Sequence, residues 1–172
     1  MTLLLLCTFD DSGIINSKRS NVNDRINDYI CSFKKWFNNN YFKKIIIIEN
    51  SGYHSDKIND LILQYSNNTL IEFIQFKGQD FDRNLGKGYG VYISLKYLLN
   101  NSEYLFKSDK LVIITGRYYI TNFRKIIENP KYDLISDFQK NLSYAFNPIL
   151  FCTTDFLNKY LLNELIYSND FN

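Results

Sequence analysis

Arg117 is the residue whose type and setting point most directly to chemistry. It lies within SDKLVIITGRYYITN (residues 108–122), where the aliphatic run Leu111 to Ile114 passes straight into Thr115-Gly116-Arg117-Tyr118-Tyr119. A guanidinium at the tip of a buried strand can grip a diphosphate through two parallel hydrogen bonds. Its plainer role is a surface ion pair with Asp109 or Asp137, worth little to stability. Tyr118 and Tyr119 could stack on a sugar or a base, but in a chain with 14 tyrosines a core or rim role is the simpler explanation.

A second basic segment, Arg83-Asn84-Leu85-Gly86-Lys87-Gly88-Tyr89-Gly90, reads as a glycine-rich turn that opens a helix. Glycines let the backbone approach an anion, and the helix start supplies unpaired N–H groups. Lys87 and Arg83 would add formal charge. Neither GxxxxGK[ST] nor GxGxxG fits the spacing, and a tight helix entry with solvated basic residues accounts for the segment equally well. Three more polar stretches follow apolar runs: Thr8-Phe9-Asp10, Asn50-Ser51-Gly52 and Lys77-Gly78-Gln79. Singly these residues are ordinary turn formers. Together with Thr115-Gly116-Arg117 they make the polar edge at which open parallel sheets bind nucleotides or other phosphate-bearing ligands.

The elements that must position these residues are legible as alternating periods. Thr2 to Phe9, Lys44 to Glu49 and Leu70 to Phe76 are strand-length apolar runs, as is Leu111 to Ile114. Their continuous hydrophobicity predicts central parallel strands covered on both faces. Between them, Val22, Ile26, Tyr29, Ile30, Phe33, Trp36 and Phe37 recur at helical spacing, with Asn21 as cap and Asn38 to Asn40 as stop. Ile58, Leu61, Ile62 and Tyr65 mark a helix capped by Ser55, and Val91, Leu95, Leu98 and Leu99 mark the third. Tyr132 to Asp137 and Ser143 to Phe151 read as two late strands, with Pro130 and Pro148 limiting their pairing. Thr154 starts a closing helix with Phe156, Leu157, Tyr160, Leu161 and Leu165 on one face. The fold class is therefore α/β: a Rossmann-like, mostly parallel sheet with helices on both faces and a short mixed C-terminal tail.

Composition narrows the function classes. With 172 residues the chain suits a single domain, residues 1–172, with a real core. Its 45% apolar and 22% charged content is that of an ordinary globular protein, and a net charge of +2 leaves no electrostatic footprint for nucleic acid. Cys7, Cys31 and Cys152 lie apart in apolar segments without a C-x-x-C pair, and His54 has no partners at any recognisable spacing. Buried reduced thiols of a cytoplasmic protein are expected, not a zinc site. Leu3 to Leu6 is too short for a membrane span or a signal core, so any contact with a membrane would be peripheral, through partners.

The order of these motifs resembles the nucleotide-binding half of GT-A-type glycosyltransferases. The first strand ending at Thr8-Phe9-Asp10, the second ending in Glu49-Asn50-Ser51-Gly52, and the glycine-rich helix entry carry the likeness. GKGYG followed by TGRYYI is similar to small bacterial and viral sugar transferases of capsule, O-antigen or other glycan assembly. The resemblance covers residues 2–122. It implies a donor half at residues 1–122 and an acceptor side at 123–172. The expected partners are a nucleotide-sugar donor and a glycan or lipid-linked acceptor.

By the same resemblance, Thr8, Phe9 and Asp10 would flank the nucleoside, and Asn50, Ser51 and Gly52 would lie near the base or ribose. Arg83, Gly86, Lys87 and Gly88 would reach toward the donor phosphates, beside Thr115, Gly116 and Tyr118. The family normally carries a metal-holding Asp-x-Asp where this chain has Gly116-Arg117-Tyr118. A hard cation needs oxygen ligands, so no metal cofactor is expected, and Arg117 would neutralise the departing diphosphate. The same substitution would also suit a nucleotide-binding or scaffold domain without turnover. An inverting reaction needs a carboxylate base, for which Asp137 and Asp155 are the candidates. Asp155 also suits a helix first turn, and Asp137 a strand end. A phosphatase of the haloacid-dehalogenase type, suggested by Phe9-Asp10-Asp11-Ser12-Gly13, fails where position 12 is serine.

Overall fold

The computed structural model describes residues 1–11, 21–107, 109–128, 134–138 and 145–162. Four apolar runs form the parallel strands β1 (Thr2–Cys7), β2 (Lys44–Glu49), β3 (Leu70–Gln75) and β4 (Lys110–Thr115). With β5 (Leu134–Phe138) and β6 (Ala145–Thr153) they make a six-stranded sheet in the order β3-β2-β1-β4-β6-β5. β6 runs antiparallel to both β4 and β5. The fold is thus α/β and Rossmann-like, with its parallel strands together on one side.

The helices are α1 (Val22–Phe37), α2 (Asp56–Tyr65), α3 (Gly86–Asn101), the short α4 (Phe123–Ile127) and α5 (Thr154–Phe156). The steps β1 to β2 and β2 to β3 move the same way across the sheet, so right-handed crossovers leave α1 and α2 on one face. The return from β3 to β4 reverses direction and places α3 on the other. The packing follows this rule. Leu3, Leu5, Ile45, Ile47, Val112 and Ile114 meet the apolar sides of α1, α2 and α4. Leu4, Ile46, Ile48, Leu111 and Ile113 meet Leu95, Leu98, Leu105 and Leu157. Two covered faces explain why these strands read as unbroken apolar runs. The reversal puts the switch point, where open parallel sheets form their ligand crevice, beyond the carboxyl ends of β1 and β4.

Several local expectations are corrected. The first strand ends at Cys7, two residues before Phe9. Gly86 to Gly90 is the first turn of α3 itself, preceded by a 3-10 turn at Arg83–Leu85. Asn21 caps α1 as its type predicts, accepting from the N–H groups of Asn23 and Asp24, whereas the Ser55 side chain makes no cap bond. The closing helix starts at Thr154 as expected, with Thr153 as its cap, but α5 passes at once into a π-helical stretch, Leu157–Leu162. Pro148 sits inside β6, within the stretch from Ala145 to Leu150 where pairing with β5 is irregular and a missing N–H is tolerated. Ser12, Gly13, Pro130 and Leu165 lie outside the described residues.

Cys7 and Cys152 are buried but Cys31 is exposed. Burial raises the Cys7 thiol well above its ordinary range, aided by the negative charge of Glu49, and pushes Cys152 up to about 12. His54 pairs with Asp56 at 2.9 Å on the exposed start of α2. Among the described residues no helix is long and apolar enough to cross a membrane.

Candidate functional site

Since β1 to β4 are parallel, all four polar tips singled out in the sequence lie on one edge of the sheet. At the β4 tip, the Tyr118 N–H donates to Thr115 O at 3.0 Å and closes a turn with Gly116 and Arg117 at its centre. Gly116 is buried, and its N–H donates to Leu6 O at 2.8 Å. A Cβ there would collide with Cys7 Sγ and lie 3.2 Å from Tyr29 Cε1, so only glycine lets β4 hug β1 this closely. Gly116→Ala should destabilise the fold by about 1–3 kcal/mol, the usual effect of overpacking. Urea denaturation would register this as a lower midpoint with an unchanged slope.

The turn is clamped from behind. Trp36 Nε1 donates to Tyr118 O at 2.9 Å, and the Tyr119 ring packs on Trp36 with centroids 4.6 Å apart. Arg117 is left half-buried, its guanidinium 5.8 Å from the centroid of the exposed Tyr118 ring. Among the described residues it pairs with no carboxylate. Asp109 precedes the opposite end of β4 and is out of its reach. Burial first and then Cys7 raise the Tyr29 phenol above its ordinary range, opposed by the hydrogen bond with Thr8, by Arg25 and, least, by the Arg117 charge.

At the β1 tip the predicted ligand contacts divide. The Phe9 ring is wholly buried, edge-on to Tyr29 at 4.9 Å and stacked with Phe73 at 6.3 Å, so it belongs to the core and does not flank a nucleoside. Thr8 is part-exposed; its N–H donates to Tyr29 Oη at 2.9 Å and its hydroxyl to Asn50 Oδ1 at 2.7 Å. The half-buried Asp10 donates its N–H to Ser51 Oγ at 3.1 Å. Asp11 is buried in an ion pair with Arg25, Nη1 to Oδ2 at 2.6 Å, while Arg25 Nε donates to Phe9 O at 3.0 Å. A first-turn arginine of α1 therefore fixes residues 8–11, where the chain leaves β1.

At the β2 tip the turn-forming explanation holds for Asn50, Ser51 and Gly52. Buried Asn50 accepts from Thr8 and, at 2.7 Å, from Gln79 Nε2, and donates to Ser94 Oγ at 3.0 Å. Ser51 donates to Glu49 and accepts from the N–H groups of Asp10 and Tyr53. Gly52 has φ +70°, the left-handed conformation in which a side chain is strained. These polar atoms are committed within the protein and build the floor of the crevice. The Gly78 N–H donates to Asn50 O at 2.8 Å, which ties the β3 tip to the same floor.

Asn50 Nδ2 also reaches Gly90 O at 3.5 Å, which brings the start of α3 over the β2 tip. Gly88 is exposed with open space around it, and no side chain caps the helix start at Leu85. Gly86, Lys87 and Arg83 lie in this first turn and the 3-10 turn before it; the orientations of the Arg83 and Lys87 side chains lie outside the described residues.

The two candidate bases part company. β5 ascends toward the tip edge, so Asp137 stands near it, two strands from β4. Asp155 does not. β6 descends, pairing Thr153 with Lys110, and the Thr154 N–H donates to Asp109 O at 3.1 Å. This puts exposed Asp155 at the opposite edge, about 17 Å below the Arg117 turn at ~3.3 Å of rise per residue, and removes it as a base. Sequence reasoning also missed four residues that shape the crevice: Arg25, Tyr29, Glu49 and Asp11. Among the described residues no cluster of three His, Cys, Asp or Glu could hold a metal ion.

No protein-family model matches the sequence, and no curated protein matches it. In structure the chain is similar to a protein from Aquifex aeolicus VF5, with TM-score 0.52 and 14% identity over 99% of this chain and 78% of that one. It is similar to a cytidylyltransferase from Leptospira borgpetersenii serovar Hardjo-bovis, with TM-score 0.51 and 10% identity over 96% of this chain. It is also similar to residues 1–349 of TarS from S. aureus, with TM-score 0.52 and 12% identity over 92% of this chain. The chain spans 63% of the cytidylyltransferase and 48% of the TarS fragment. What is shared is the fold.

Proposed function

We propose that this protein is a glycosyltransferase that takes a sugar from a nucleotide-diphosphate sugar to a glycan or lipid-linked hydroxyl. The observation that carries the reading is Arg117: a half-buried guanidinium at the β4 tip, beside the crevice, with no described carboxylate to neutralise it. The fold shared with a named cytidylyltransferase supports a nucleotide-linked substrate. The uncapped start of α3 and its open Gly88 supply a second place where phosphate oxygens can meet N–H donors.

In the reaction the acceptor hydroxyl oxygen attacks the anomeric carbon. The bond from that carbon to the diphosphate oxygen breaks, and the electron pair leaves with the nucleoside diphosphate. Arg117 meets the charge that develops there, the task a metal ion performs in related catalysts, so turnover proceeds without added metal. Asp137 is the remaining carboxylate to receive the hydroxyl proton. The loss of Asp155 from the site favours a second reading, a domain that binds nucleotide without turnover.

A thermal-shift screen against uridine, cytidine and guanosine diphosphates and their sugar conjugates, with and without EDTA, tests the proposal. A ligand at about a hundred times its Kd should stabilise the fold by about 2.7 kcal/mol, equally in both arms. Absence of any shift overturns the reading. A shift without sugar release or transfer selects the binding domain.

A further inference from the structure

Glu49 is the one wholly buried carboxylate side chain among the described residues at the crevice, and no described cation pairs with it. Hydrogen-bond donors surround it instead. Its Oε1 accepts from the Phe9 N–H at 3.0 Å, the Ser51 N–H at 2.8 Å and the Ser51 hydroxyl. Its Oε2 accepts from the Gly52 N–H at 2.9 Å and from Gln75 Nε2 at 3.1 Å. Gln75 Nε2 reaches on to Tyr53 O at 2.6 Å, and Ser51 Oγ accepts in turn from the Asp10 N–H. One anion thus gathers donors from the tips of β1, β2 and β3, segments far apart in the chain.

We propose that Glu49 is a positioning residue: it sets the shape of the half of the crevice that receives the nucleoside, without touching the ligand. The inference rests on the nucleotide-sugar reading above. In the strand order β3-β2-β1-β4, Arg117 stands on the β4 side, so a donor whose phosphates it holds lays its other end over the β1 and β2 tips. Backbone N–H groups aimed at a buried carboxylate fix those tips more firmly than neutral acceptors would. The charge matters as much as the shape. In Glu49→Gln the amide keeps one acceptor oxygen, but its NH2 faces donors and leaves N–H groups of Phe9, Ser51 or Gly52 unmatched.

The test is calorimetric titration of the full-length chain with two probes. One is the nucleoside diphosphate, among uridine, cytidine and guanosine, that the wild type binds most tightly; the other is inorganic pyrophosphate. Glu49→Gln should weaken the nucleoside diphosphate roughly tenfold, since tips left with an unmatched donor hold the binding-competent shape for only a fraction of the time, and leave pyrophosphate unchanged, since Arg117 holds it. Equal loss of both probes, or retention of both, overturns the inference while the functional reading stands. Pyrophosphate binding by a wild type that takes no nucleoside diphosphate overturns both. Should the variant fail to fold, amide hydrogen exchange on the wild type decides. The N–H groups of Phe9, Ser51 and Gly52 should be protected as strongly as strand amides, and exchange at open-loop rates overturns the role.

Discussion

Arg117→Ala should remove most of the stabilisation that a nucleoside diphosphate gives the wild-type protein. A charge-assisted bidentate contact contributes about 1.5–3 kcal/mol, so the Kd should rise by roughly one to two powers of ten. The fold itself should be nearly untouched, because Arg117 is half-buried and pairs with no described carboxylate. That separation is what makes the result readable: equal melting temperatures without ligand and unequal ones with it. Arg117→Lys keeps the charge but not the planar fork, and should recover only part of the affinity. If turnover is present, losing the group that meets the leaving-group charge should lower kcat by about 10²–10³-fold. An Arg117→Ala protein that binds and turns over like the wild type removes the guanidinium from the mechanism.

Arg25→Ala should be the most destabilising single change at the crevice. Arg25 and Asp11 are 5% and 4% exposed, and their contact is 2.6 Å. Removing the cation strips the buried Asp11 carboxylate of its guanidinium partner, an effect of about 3–5 kcal/mol where such a pair is broken from one side. It also strips a donor from Phe9 O. Against a typical total of about 5–15 kcal/mol, this is enough to unfold a good part of the population at room temperature if stability sits at the lower end. The double variant Arg25→Met/Asp11→Leu should regain much of the loss, since neither charge is then stranded. Urea midpoints for the two single variants and the double close the cycle. A single-variant loss below about 1 kcal/mol would place the pair among surface contacts. Because the pair is buried, its contribution should change little with salt.

The positions of the strands and helices follow from local pattern. Ile45 to Ile48 and Leu111 to Ile114 are apolar on consecutive residues because both faces of the sheet are covered, and α1 shows its period through Ile26, Tyr29, Phe33 and Trp36. Such signals depend on neighbours within one turn or one strand. The edge that carries Thr8, Asn50, Gln79 and Arg117 was legible for the same reason, since alternation of strand and helix forces parallel strands.

Which side chains actually meet at that edge was decided only by tertiary structure. Phe9 reads as a tip residue, but its ring turns into the core against Tyr29 and Phe73. Glu49 reads as the end of a strand, and becomes a hub only because Phe9, forty residues earlier, returns beside it. Arg25 has the sequence signature of a solvated helix residue, until the loop after β1 folds Asp11 beneath it. Asp155 follows the last strand as the other tips follow theirs, yet β6 is antiparallel, so the same sequence position falls on the opposite edge. Period and turn chemistry are written within a few residues of chain; strand direction and the partners of a buried charge depend on contacts between segments tens of residues apart, and those exist only once the sheet has closed.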